Sequence, residues 1–131
     1  MKWKRKNKVF GCWNTNKLEL LNSSIDDFKI EAIKTKHRFA IRHYSYVITW
    51  HGKRLFFSGD TETADTALSI KNIDWAFVPY CIMLDANKRQ LKLDAVKVGI
   101  YHLYPTQTIN NLNPDKLLIL EKQGEVIHIP Y

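Results

Sequence analysis

Two strand-forming runs, YSYVITW (44–50) and RLFFS (54–58), stand either side of a His-Gly-Lys tripeptide. This arrangement constrains the chain more than any other feature. Both flanks are rich in β-branched and aromatic residues, and Gly52 tolerates the positive φ that a tight turn demands, so a β-hairpin is predicted. The second run then stops abruptly on Ser58, Gly59, Asp60 and Thr61. Glycine permits a sharp exit and a close approach of neighbouring backbone. The aspartate puts a carboxylate at the edge of a sheet, where it either caps the next helix or ligates a metal; zinc accepts carboxylate oxygen at about 2.0–2.2 Å. The stretch alone leaves both roles open.

Around the hairpin the pattern alternates between strand and helix. FKIEAIK (28–34) alternates apolar and polar residues, as a half-buried strand does. TADTALSI (63–70) reads as a short helix with Thr63 as its N-cap. IDWAFVPY (73–80) is a nearly continuous apolar run ended by proline, the mark of a strand covered on both faces. Residues 85–97 suit a second helix, VGIYHLYP (98–105) another buried strand, and residues 115–129 a strand, a turn at Gly124 and a strand. Helices interposed between buried strands give an α/β fold in α+β layers. With no repeat, linker or low-complexity tract, residues 1–131 read as a single domain.

The chain's 20 basic and 13 acidic residues leave a net charge of +7. Lys2, Lys4, Arg5, Lys6 and Lys8 form a basic arm over residues 1–8, a solvated terminus or a phosphate-binding strip. Cys12 and Cys81 lie in apolar company and form no CxxC, which excludes a zinc ribbon and predicts buried free thiols. No apolar stretch approaches the ~20 residues of a membrane span, and the start lacks the apolar segment of a secretory signal. A cytoplasmic protein without a membrane partner is expected.

Two more residues of metal-binding type sit at strand ends. His102 closes the apolar VGIY run, and His37 ends the alternating strand, with His43 a competitor for the same role. A lone strand-end histidine is more often a core residue hydrogen-bonded to a carbonyl, and no two of these groups form a local ligand motif. His51 falls in the hairpin turn and His128 on the solvent side of the last strand. Trp50 and Trp75 are expected in the core, and Asp74, opening a strand after the turn-forming Asn72, is expected to cap that turn.

Taken together, YVITWHGKRLFFSGDTETAD, IKNIDWAFVPY and VGIYHLYP resemble the second half of the metallo-β-lactamase fold of hydrolases. The likeness runs from about residue 28 to the C-terminus and is carried by FFSGDT together with NIDWAFVPY. It implies the C-terminal half of an αββα sandwich with a metal pair, usually zinc, at one end of two packed sheets. By that match Asp60 bridges the metals, His102 binds the second, and His37, or His43 in its place, completes the first. It further implies a metal-bound hydroxide attacking an ester, lactone, thioester, amide or phosphodiester bond, because the metal acidifies its water and polarises the bond.

The same family carries a His-x-His-x-Asp-His signature in its first half, and none of the five histidines here has that spacing. Each metal is then left with one histidine and a shared carboxylate, where catalytic zinc uses about three protein ligands. The resemblance therefore implies an incomplete member, inactive alone. Its expected partners are a complementary N-terminal half or a second copy across an uncovered apolar sheet face, and a small-molecule substrate if active. A non-catalytic interaction module and a nucleic-acid binder acting through the basic arm are the other two expectations.

Overall fold

The alternation in FKIEAIK is met by β1 (Phe28–His37), and the two runs of the hairpin by β2 (Ala40–Trp50) and β3 (Lys53–Phe57). A computed structural model gives the arrangement, which describes residues 14–107, 109, 113, 115–122 and 124–129. The basic arm and Cys12 lie outside the described residues. His51 and Gly52 take φ of 47° and 71°, so both turn positions adopt the left-handed conformation that a two-residue hairpin needs.

Beyond β3 the connections lengthen and the sheet changes sense. Helix α2 (Asp65–Ser69) leads to β4 (Ile73–Pro79), and α3 (Tyr80–Lys88) leads to β5 (Ala95–Tyr101), followed by the short β6 (Leu117–Ile119). A 3-10 turn (Thr15–Lys17) and α1 (Leu18–Asn22) precede β1. The six strands lie in sequence order in one sheet. Pairing is antiparallel from β1 to β3 and parallel from β3 to β6. This mixed α/β layering is the architecture expected from the sequence.

One consequence positions everything that follows. Strand β1 runs in the same direction as β3, β4 and β5, because two antiparallel steps restore the original sense. The carboxyl ends of these four strands therefore share one rim, the edge at which open α/β sheets gather ligand-binding groups.

Period two divides the strands between two faces. Val47, Phe56, Ala76, Val78, Val98 and Ile100 point to the helix side and pack with Ala64, Ala67, Ile70, Ile82 and Ala86. The other face carries Phe57, Trp75 and Phe77 in a stack, with ring centroids 4.9 and 5.7 Å apart. Trp75 and Phe77 are only 7% and 8% exposed, so the centre of this apolar face is not open. Trp50, expected in the core, is 45% exposed at the end of β2.

Gly99 on β5 fits against that stack. A Cβ there would lie 2.8 Å from Phe77 Cδ1 and 3.2 Å from Leu120 Cδ1. Phe77 is held between two other rings and cannot swing away. Gly99→Ala is therefore expected to destabilise by about 1–3 kcal/mol, read as a lower urea midpoint with unchanged slope.

Four local expectations are corrected. Helix α3 begins at Tyr80, directly after Pro79, rather than at Asp85, and residues 95–97 are strand. Thr63 does not cap α2; its N-terminal Ala64 N–H donates instead to Asp85 Oδ2 of α3 at 2.8 Å, and Arg89 ties Asp85 and Asp65 together. The C-terminal hairpin is reduced to β6, with residues 125–129 outside any strand. Asp74 sits inside β4, where its carboxylate accepts from Arg54 N–H at 2.9 Å and meets Lys53 Nζ at 3.3 Å.

Candidate functional site at the strand-end rim

The Ser-Gly-Asp-Thr stop is held from every side. Ser58 N–H continues the ladder to Phe77 O at 3.0 Å, and Ser45 Oγ donates to Ser58 O at 2.7 Å. Gly59 O accepts from Tyr101 Oη at 2.6 Å and from Ser58 Oγ at 2.9 Å. Asp60 N–H donates to His43 Nε2 at 3.1 Å, and Thr61 Oγ1 donates to Lys36 O at 3.2 Å. Ser45 and Ser58 are fully buried and Thr61 nearly so. Buried polar groups persist when partnered, and here the partners come from β1, β2, β4 and β5.

Gly59 is required at its position for two reasons. Its φ is +63°, and a Cβ would come within 3.0 Å of His43 Cε1 and 3.2 Å of Tyr44 O. The absent side chain lets the His43 ring lie directly on the turn.

This framework projects the Asp60 carboxylate, 56% exposed, over the rim between two imidazoles. Oδ2 lies 3.4 Å from His37 Nε2 at the end of β1. Oδ1 lies 3.2 Å from His102 Nδ1, one residue past β5. The three residues, 23 and 42 positions apart along the chain (60 − 37 and 102 − 60), converge on one place. His102 has φ of +61°, a left-handed conformation uncommon outside glycine and costly enough to mark the strand end as constrained.

His43 takes a different part. Its Nδ1 is 2.6 Å from Thr35 Oγ1, its Nε2 accepts Asp60 N–H, and its ring stacks on His37 with centroids 5.5 Å apart. A nitrogen that accepts a backbone N–H carries no proton, so the neutral ring is protonated at Nδ1 and donates to Thr35. Burial, then the neighbouring His37, lowers the His43 pKa against an opposing pull from Asp60, which favours that neutral form. With both nitrogens occupied, His43 does not replace His37 beside Asp60. It holds the backbone that carries Asp60.

Tyr101 and Cys81 complete the surroundings. Burial, opposed by the Ser58 hydrogen bond and helped by Asp60, raises the Tyr101 pKa, keeping the phenol a neutral donor to Gly59 O. Cys81, expected to be buried, is an exposed residue in the first turn of α3, its sulfur 3.8 Å from Thr61 O. Desolvation of that sulfur is the main cause of its raised thiol pKa, with Asp60 and Glu62 adding to it. Ser45, Thr35 and Tyr101 belong to no motif in the sequence. Serine in the middle of an apolar strand was the available signal for the first of them.

The donor types at the rim, imidazole nitrogen and carboxylate oxygen, are those zinc uses. Their number does not close a site. Each Asp60 oxygen faces a single histidine, and among the described residues no group of three or more His, Cys, Asp or Glu is placed to hold one metal ion. The rim as it stands is a carboxylate flanked by two imidazoles.

No family model and no curated protein matches the sequence. A crystal structure from Parabacteroides distasonis ATCC 8503, of a protein provisionally named a metal-dependent hydrolase, is similar to this chain at TM-score 0.54 and 25% identity. The match covers 81% of this chain and 61% of the other, so this chain spans about three fifths of the structure it resembles. Among the described residues, no helix is long and apolar enough to cross a membrane.

Proposed function

We propose that this chain is part of a metal-dependent hydrolase of the metallo-β-lactamase superfamily, contributing Asp60, His102 and His37 to a zinc site whose remaining ligands come from elsewhere. The observation that carries this reading is the convergence of a carboxylate with two distant histidines at 3.4 and 3.2 Å on a single rim. The likeness in fold to a protein provisionally named a metal-dependent hydrolase supports the metal-dependent hydrolase part of it. In such a site Asp60 is the shared ligand, because its two oxygens already face different imidazoles. A small molecule with an ester, lactone or phosphodiester bond is the substrate class. The partner is a complementary segment bearing His-x-His-x-Asp-His.

The second reading is an interaction module without catalysis, favoured by the ligand count at the rim. Elemental analysis after dialysis separates the two. Under the first, this chain alone retains well under one zinc, and a complementary histidine-rich half raises occupancy towards two. Full occupancy in this chain alone contradicts the ligand count. No gain with the complementary half favours the interaction module.

A further inference from the structure

The turn between β1 and β2 and a metal ion require opposite things of His37. Phe39 N–H donates to His37 Nδ1 at 3.2 Å, so Nδ1 presents its lone pair to the turn. A neutral imidazole carries one proton, which must then sit on Nε2. That is the nitrogen 3.4 Å from Asp60 Oδ2. A metal takes a lone pair from the nitrogen it binds, and metal-bound histidine ordinarily donates from its other ring nitrogen. His37 is thus turned the wrong way for ligation beside Asp60: its lone pair faces the turn and its proton faces the site. His43 offers no substitute, since Thr35 and Asp60 N–H use both its nitrogens.

We propose that the backbone N–H of Phe39 holds His37 in the Nε2–H tautomer, so that the Phe39–His37 hydrogen bond and metal binding at His37 exclude each other. This rests on the reading of the rim as a metal site. For His37 to present a lone pair at Nε2, its proton would have to move to Nδ1 and the bond from Phe39 N–H would have to break. The turn is built to let go: Phe39 is 85% exposed and meets the His37 ring only edge-on, with centroids 6.3 Å apart. Its other ties to the site are slight. Arg38 N–H reaches Glu62 Oε1 at 3.4 Å, and the Arg38 guanidinium lies 6.0 Å from the Phe39 ring.

Two measurements test this. Long-range proton–nitrogen spectra of the metal-free chain report histidine tautomers directly; His37 is expected as Nε2–H and His43 as Nδ1–H. Zinc affinity, read by competition with a chromophoric chelator, is expected to rise severalfold, up to about tenfold, in Phe39→Pro, which lacks the N–H. Phe39→Ala keeps the N–H and is expected to match the parent protein. An Nδ1–H tautomer at His37 overturns the proposal, as does equal zinc affinity in Phe39→Pro and Phe39→Ala. If Phe39→Pro does not fold, the tautomer spectrum decides alone. Zinc binding by none of the three proteins overturns the exclusion through failure of the metal reading itself. Zinc binding that is equal in all three removes the exclusion and leaves that reading intact.

Discussion

Gly59→Ala is expected to lower the unfolding free energy by about 2–4 kcal/mol, among the largest single effects in this chain. Two costs combine. An L-residue with a side chain at φ of +63° pays the left-handed penalty, roughly 1–2 kcal/mol. The added methyl also meets His43 Cε1 at 3.0 Å and Tyr44 O at 3.2 Å. The carbonyl belongs to strand β2 and cannot yield, and the imidazole is fixed through Thr35 and Asp60 N–H. Urea denaturation measures the loss. The Asp60 N–H to His43 bond is expected to break as well, visible as faster hydrogen exchange at the Asp60 amide. A variant as stable as the parent would show that the turn relaxes freely, contrary to the partners found for it.

Phe56→Ala is expected to cost about 3–5 kcal/mol, the range for removing a buried aromatic ring. Phe56 is 1% exposed and heads the fully buried side chains by volume. It sits on β3 opposite Val47 of β2 and beside Ala76 of β4, where the antiparallel and parallel halves of the sheet meet. Its cluster includes Ala64, Ala67, Ile82 and Ala86 of the helix layer. The three alanines cannot expand to fill the void, which puts the cost towards the upper end. The next residue is the control: Phe57 is only half-buried and stacks on the other face, so Phe57→Leu, which retains apolar bulk, should cost much less. Equal losses at 56 and 57 would contradict the assignment of the core to the helix side.

Much of this was legible in the sequence, for identifiable reasons. The hairpin was readable because alternation and a glycine at the turn are both local signals. The Asp60 turn was readable because Ser-Gly-Asp-Thr breaks an apolar strand without any hairpin logic to explain it. Helix α3 was misplaced because Tyr80 to Leu84 reads as a continuation of the apolar run before it. Pro79 is both the last residue of β4 and the residue before the helix, and Ile82 and Ala86, four apart and buried, are the spacing that betrays it. The role of His43 could not be read at all. It depends on Thr35 and on the amide of Asp60, 8 and 17 residues away, which meet only once the strands are paired. Tyr101 is similar: its hydroxyl reaches Gly59 O across 42 residues.

The backbone at residue 102 is shaped for a residue with no side chain, yet it carries an imidazole. The left-handed φ of +61° there costs a histidine on the order of 1 kcal/mol that a glycine would not incur. A chain tuned for thermal robustness alone would give up that ring. What that conformation does is turn an imidazole out to the solvent, its Nδ1 3.2 Å from the Asp60 carboxylate.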